Sequence, residues 1–373
     1  MKILALVPSE KDVNPGQRFR IEQWEPLLKK RGVELTYAPF SFPALSRVLC
    51  QPGYRARKTS LMAAAFLRQT RSILRSRRFD LVYLFREASL IGPALIESLV
   101  ALLRTPIVFD FDDAIFVPYK SPSNGYLSFL KFFGKTARVC KISRAVMAGN
   151  SYLAEYAKRY SDDVTIVPTT IDTDVYRPEV RHRTRNNLPV IGWTGSYSTI
   201  QYLLAVAPAL ARLAKQRPFR LVVVGNAAPE IPGVTIEFRK WRSSTEVEDL
   251  ADIDAGIMPL PDDPWSRGKC GLKALQYMAL GIPPVVSPVG VNTEIVNDNV
   301  NGLVAGTEEE WIEKLRSLLT DPALRNRLGR AARQTVEERY SARVVAPRVF
   351  HVFERALSRP VSAEVEAESS RLS

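Results

Sequence analysis

Residues 268–287 read Gly-Lys-Cys-Gly-Leu-Lys-Ala-Leu-Gln-Tyr-Met-Ala-Leu-Gly-Ile-Pro-Pro-Val-Val-Ser. The pattern predicts a basic loop, a helix over 271–280, a stop at Gly281 and a buried strand. A helix N-terminus concentrates unpaired N–H groups and a partial positive charge, which together favour anions. The backbone amides of Cys270, Gly271 and Leu272 are therefore expected to face a phosphate, with Lys269 as its first charge partner. Lys273 stands one helical turn further on.

Outward from this stretch, the chain alternates apolar runs with amphipathic segments. After it, helices are expected over 308–319 and 322–339, and an amphipathic segment over 341–357. Before it, strands are expected over 190–193, 220–224, 234–238 and 255–258. The helices between them are placed at 198–217, with Pro208 near a kink, and from 245 to 250, capped by Ser243 or Ser244. The first half repeats the alternation. Its strands are expected over 2–7, 33–38, 79–85, 106–111, 143–148 and 164–168, and its helices over 19–31, 88–103 and 151–160. Such alternation predicts an α/β chain with parallel sheets covered by helices on both faces. Residues 172–189, charged and broken by Pro178 and Pro189, read as a linker. The expected division is 1–180, 181–340, a helix over 341–357 and a disordered tail over 358–373.

The length of 373 residues suits two domains. No apolar run reaches the roughly 18 residues of a membrane span, and residues 1–7 read as a strand, not a secretory signal. Cys50, Cys140 and Cys270 are scattered and odd in number, which points to reduced thiols and a cytoplasmic protein. Two histidines and no paired Cys/His spacing argue against structural zinc.

Charge is unevenly spread. Residues 1–187 hold 30 Lys and Arg against 17 Asp and Glu, whereas 188–373 hold 22 of each. Within 47–78 nine basic residues alternate with Leu61, Met62, Phe66, Leu67, Ile73 and Leu74, and no acid intervenes. That composition suits a basic amphipathic helix on an anionic membrane surface. A solvated helix whose apolar side joins the core is the alternative. Nucleic acid is not an expected partner, because no recognition module is present.

Further polar motifs stand at predicted strand ends, where doubly wound sheets bind ligands. Gly192-Trp193-Thr194-Gly195-Ser196 allows a tight turn and close approach of backbone to phosphate, assigned to Gly195 and Ser196. It is not a dinucleotide fingerprint. Arg239-Lys240-Trp241 ends a middle strand. In the first half, Gly16, Arg18 and Arg20 follow the first strand, Arg86 the third, and Asp112 and Asp113 the fourth.

Together with Gly290-Val291-Asn292-Thr293-Glu294-Ile295-Val296 and Asn301-Gly302-Leu303, these motifs resemble the family 4 retaining glycosyltransferases. The resemblance covers nearly the whole chain and is strongest over 190–306. It implies the GT-B architecture, two Rossmann-like doubly wound parallel-sheet domains facing a cleft, with the terminal helix crossing back to the first domain. It implies a nucleotide-diphosphate sugar as co-substrate, no required metal and no other cofactor. Donor contacts fall on Gly195, Ser196, Trp241, Cys270, Gly271, Leu272, Lys273, Gln276 and Glu294. Trp241 either stacks on the base or is a partly buried surface tryptophan, and Glu294 either meets the ligand or pairs locally. A saccharide or lipid-linked acceptor falls to Gly16, Arg18, Arg20 and Arg86. Asp112 or Asp113 would act on the acceptor hydroxyl, and Lys269 on the departing diphosphate. The bland reading of the two aspartates is a helix cap or a metal-free salt link to Arg86.

The chain departs from that family at two positions. The family's two glutamates, seven residues apart, fall on Gly268 and Gln276. Gln276 keeps the capacity to hydrogen-bond a ribose hydroxyl; Gly268 cannot stand in for a carboxylate. The alternatives are an epimerase or phosphorylase of the same architecture and an inactive sugar-nucleotide-binding scaffold.

Overall fold

The computed structural model describes the chain except at Cys50, Pro52, 119–129, 181–187, Tyr197 and 359–373. The basic run 181–185 and the tail expected beyond Ser358 lie outside the described residues, as does Cys50. The chain forms two compact units. One is Met1–Pro168 together with the chain from Ala346 onward; the other is Thr169–Val345. The division therefore falls about twelve residues before the expected boundary at 180.

The first unit holds six strands: β1 (Lys2–Val7), β2 (Glu34–Pro39), β3 (Leu81–Phe85), β4 (Ile107–Phe111), β5 (Ala145–Ala148) and β6 (Val164–Ile166). All pair in parallel, in the order β2-β1-β3-β4-β5-β6. Continuous apolar runs such as Ile3–Val7 are buried throughout, as strands covered on both faces require. Strand order reverses at β1, so the crevice that this topology offers a ligand opens at the carboxyl ends of β1 and β3.

Three expected helices change form here. The segment expected over 19–31 is a wide turn, Arg18–Glu22, followed by a helix over Gln23–Lys29. Arg20 leaves helical dihedrals altogether (φ −127°, ψ −110°). The segment expected over 88–103 is helical only over Leu95–Leu102, after Gly92 at φ +86° and Pro93. The basic stretch forms Pro43–Leu49 and then a helix of 20 residues, Arg55–Leu74. The latter turns Ala65, Gln69 and Ile73 inward, one helical turn apart, and leaves Arg55, Arg57, Arg68 and Arg71 exposed.

The second unit carries β7 (Val190–Thr194), β8 (Arg220–Gly225), β9 (Thr235–Lys240), β10 (Ala255–Met258), β11 (Pro284–Val286) and β12 (Leu303–Val304). The order is β12-β11-β10-β7-β8-β9, again all parallel, with its reversal between β7 and β10. Helices Ile200–Ala205 and Ala207–Gln216 replace the single expected one. They break at Val206, and Pro208 sits in the first turn of the second, where its missing N–H costs nothing. Leu203, Leu210 and Leu213 pack with Trp311, Leu315 and Leu318 of Glu308–Thr320 over the sheet.

Ala342–Ser358 begins in the second unit and continues into the first. There Arg355 grips Asp163 (2.6 and 2.9 Å) and Thr165, and Phe353 stands edge-on to Tyr83. Cys140 and Cys270 are buried and outside any disulfide, and burial pushes the Cys140 thiol up to about 12.

Candidate functional site

The helix opened by residues 268–271 spans Leu272–Ala279 and lies over the β7/β10 reversal. Three contacts put it there. The Tyr277 ring occupies the space above Gly256 of β10, where an added Cβ would lie 2.2 Å from the ring. The Tyr277 hydroxyl accepts the Thr194 amide of β7 at 3.0 Å. One turn earlier, Lys273 Nζ sits 5.7 Å from the centroid of the buried Trp193 ring.

The same Trp193 ring lies under Gly195. A Cβ at Gly195 would come within 2.4 Å of the indole and 2.6 Å of Thr199 Oγ1, so a side chain in the turn after β7 would force one of them to shift. Trp193 thereby ties Gly195 to Lys273, two donor residues expected from separate motifs. Ser196 continues the turn, with its amide donating to Thr199 Oγ1 at 3.0 Å. Gly271 caps the helix in the left-handed region (φ +72°), against Ile295 of the segment that resembles Gly-x-x-Glu-Ile-Val. It supplies no capping side chain. The first N–H groups of a helix have no partner within it, so an anion at this end meets them directly.

Lys269 Nζ lies 4.8 Å from the Trp265 centroid. Upstream, Asp263 caps Pro264–Arg267 through the Ser266 amide (2.7 Å), and Asp262 takes a two-pronged bond from Arg267 (2.6 and 3.0 Å). That bond holds Asp262 below the usual carboxylate range. Cys270 is buried, and Glu294 is exposed on the short Asn292–Ile295 helix. A cavity of about 200 Å³ opens beside Leu260 and Pro261 after β10 and Ser287 after β11.

The structure corrects one expectation in this unit. The helix over Glu246–Leu250 is entered from Thr245, whose side chain makes no capping bond, so the capping position belongs to neither Ser243 nor Ser244. Gln276 is 2% exposed, and its Nε2 donates to Glu246 (3.0 Å) and to the Tyr176 hydroxyl (3.2 Å). Trp241 Nε1 donates to the same carboxylate at 2.9 Å. These bonds of Gln276 to Tyr176 and Glu246 were not legible in the sequence, because nothing local marks a partner 30 to 100 residues away.

In the first unit, Arg86 follows β3 at φ +56°, a strained conformation for a side chain of this size. Its Nε bonds Asp112 (2.6 Å) and its Nη2 bonds Asp113 (2.7 Å). Gly16 lies against this cluster; a Cβ there would stand 2.5 Å from Arg86 Nη2 and 2.8 Å from Asp112 Oδ2. The expected salt link is thus formed, and it gathers Gly16, Arg86, Asp112 and Asp113 at the carboxyl edge of the sheet. Arg18 is mostly buried and bonds Asp12 at 3.1 Å.

Arg20 does not join them. Its guanidinium is fully buried, forked onto Asp110 (2.5 and 2.7 Å) and donating to the Val167 carbonyl (2.8 Å). Tyr83 also donates to Asp110, at 2.5 Å. Contrary to expectation, Arg20 is a core residue whose donors are turned away from any acceptor. Among the described residues no group of three or more His, Cys, Asp or Glu is placed to hold a metal ion.

Comparison with known proteins bears on the second unit's sequence and on the fold. Residues 188–321 match the family model described as glycosyl transferases group 1. A D-inositol 3-phosphate glycosyltransferase of Xylanimonas cellulosilytica is 26% identical over 223 residues, covering 53% of this chain and 52% of its own. The chain thus spans about half the length of the curated relatives it matches. Among solved structures, sucrose-phosphate synthase from Thermosynechococcus elongatus superposes with a TM-score of 0.69 at 13% identity, over 95% of this chain and 99% of that one. Anabaena HepE in complex with UDP-glucose gives 0.64 at 15% identity, over 95% and 99%. The Leu272–Ala279 helix and its glycine-bounded loops therefore lie within the stretch that matches the group 1 model, in a chain that has the two-sheet GT-B fold.

Proposed function

We propose that this chain is a retaining glycosyltransferase that moves a sugar from a nucleotide-diphosphate donor to a saccharide or lipid-linked acceptor. The observation that carries the reading is the convergence of Gly195, Lys273 and the Gly271-capped helix on Trp193. Glycine-bounded backbone, a helix N-terminus and a lysine meet at the sheet's topological switch, as a diphosphate site requires.

In this reading the amides of Cys270, Gly271 and Leu272, with Lys269 and Lys273, stabilise the negative charge that grows on the departing diphosphate. Ser196 and Glu294 complete the donor contacts, and Trp241 offers a face to the base. The sugar is attacked from the side the diphosphate leaves. No metal is needed for that charge, and no protein nucleophile is assigned. The acceptor is held on the first unit by Gly16, Arg18 and Arg86, and Asp112 and Asp113 accept hydrogen bonds from its hydroxyls. The basic helix Arg55–Leu74 brings the enzyme to an anionic membrane surface, the cytoplasmic face, where lipid-linked acceptors reside.

The test is a thermal-shift panel of UDP-, GDP-, ADP- and dTDP-sugars, led by UDP-glucose because HepE holds it. One donor should raise the melting temperature, and Lys269→Ala with Lys273→Ala should abolish the rise. A rise that survives both substitutions removes the diphosphate from this helix. Net sugar transfer separates the enzyme from the epimerase, phosphorylase and scaffold readings.

A further inference from the structure

Glu246 is 3% exposed, and its carboxylate is the meeting point of three other segments of the second unit. Its Oε2 accepts from the Tyr176 hydroxyl at 2.8 Å. Its Oε1 accepts from Trp241 Nε1 at 2.9 Å and from Gln276 Nε2 at 3.0 Å. An ionised carboxylate only accepts, so the Gln276 amide must turn its NH₂ toward Glu246. The second amide hydrogen goes to the Tyr176 oxygen. Oε1 of Gln276 consequently faces the other way, and no described residue donates a hydrogen bond to it. Gln276 is left with one acceptor and no spare donor.

We propose that Glu246 is a positioning residue that locks Gln276 as a hydroxyl acceptor and Trp241 as a base platform, so that together they read the donor's ribose. The inference rests on the nucleotide-sugar reading given above. One carboxylate oxygen holds both the indole and the amide, so the two lie side by side. A base stacked on the indole carries its ribose as the next group along, whereas the transferred sugar lies beyond the diphosphate. The pairing also accounts for glutamine at 276. A glutamate there would set a second carboxylate about 3 Å from the first, and two such charges do not both ionise. Glu246 and Gln276 form a coupled unit in which the carboxylate stands one layer behind the group that meets the ligand.

The experiment is calorimetric titration of the full chain with UDP, GDP and ADP and with the 2′-deoxy and 3′-deoxy form of whichever binds. The wild type should prefer the ribonucleotide to at least one deoxy form by roughly tenfold, the worth of one hydrogen bond to a buried polar site. Glu246→Gln frees the amide to turn over, and the preference should fall to about twofold or less while affinity for the deoxy form holds. Gln276→Glu alone should weaken binding of both forms. The swap Glu246→Gln/Gln276→Glu, which keeps one acid and one amide in the same space, should restore affinity, and it decides the matter if Glu246→Gln does not fold. Binding of none of the three nucleotides overturns the nucleotide reading itself. Binding without ribose preference, a preference untouched by Glu246→Gln, or a swap no better than Gln276→Glu overturns the role of Glu246 and leaves the nucleotide reading in place.

Discussion

Arg20 illustrates how far a single side chain's role depends on what it meets. Its fork onto Asp110, with Tyr83 and Val167 filling the remaining positions, is a satisfied buried ion pair under the sheet. Burial nevertheless pushes Asp110 above the ordinary carboxylate range, against the pull of Arg20. Removing the cation leaves an uncompensated acid, and Arg20→Met should cost about 3–5 kcal/mol by chemical denaturation. The sign of the pH dependence follows. An acid whose native pKa lies above its unfolded value weakens the fold as pH rises through that interval, because the unfolded chain gives up the proton first. Loss of Arg20 extends the interval upward, so the deficit of Arg20→Met should be larger at pH 8 than at pH 5. A deficit that does not vary with pH would show that Asp110 is not the group left stranded.

Among the elements, the Leu272–Ala279 helix is the one whose start must be built in a single way. Gly271 sits at φ +72°, and a Cβ there would meet Ile295 Cδ1 at 2.2 Å. Gly271→Ala should therefore cost about 1–3 kcal/mol and should remove the donor-induced thermal shift as the loop moves off the helix end. Ile295→Val in the same background should recover part of the stability, because it removes the atom that is struck. This helix was legible in the sequence because lysines, glycines and an apolar period stand within twenty residues. The strands were legible for the same local reason: runs such as those in β1 and β10 are apolar throughout. The break at Arg20 was not, since its cause, Asp110, lies 90 positions away. Nor was the Glu246 hub, whose acid looked like any first-turn glutamate until Tyr176, Trp241 and Gln276 were folded around it.

At the scale of the molecule the governing fact is the separation of charge, with the whole formal excess of +13 carried before residue 188. Its densest part is now a helix with an inner stripe, Ala65, Gln69 and Ile73, and an outer face bearing Arg68 and Arg71 beside Leu67 and Leu74, each leucine more than half exposed. Arg75, Arg77 and Arg78 follow at its end, and Leu95 and Leu102 are exposed on the neighbouring helix Leu95–Leu102. No described helix is long and apolar enough to cross a membrane, so contact would be peripheral. Each basic residue near an anionic leaflet contributes about 1 kcal/mol, within a range set by the Debye length. Exposed leucines add apolar insertion that salt does not screen. The chain should therefore co-sediment with vesicles containing phosphatidylserine and not with neutral ones, and high salt should weaken that binding without abolishing it. Replacing Arg68, Arg71 and Arg75 by glutamate should release the protein while leaving donor binding in the second unit intact. Replacing Leu67 and Leu74 by serine should leave binding that salt then removes completely. Equal binding to neutral vesicles would assign this face to the solvated alternative, with its charge serving solubility alone.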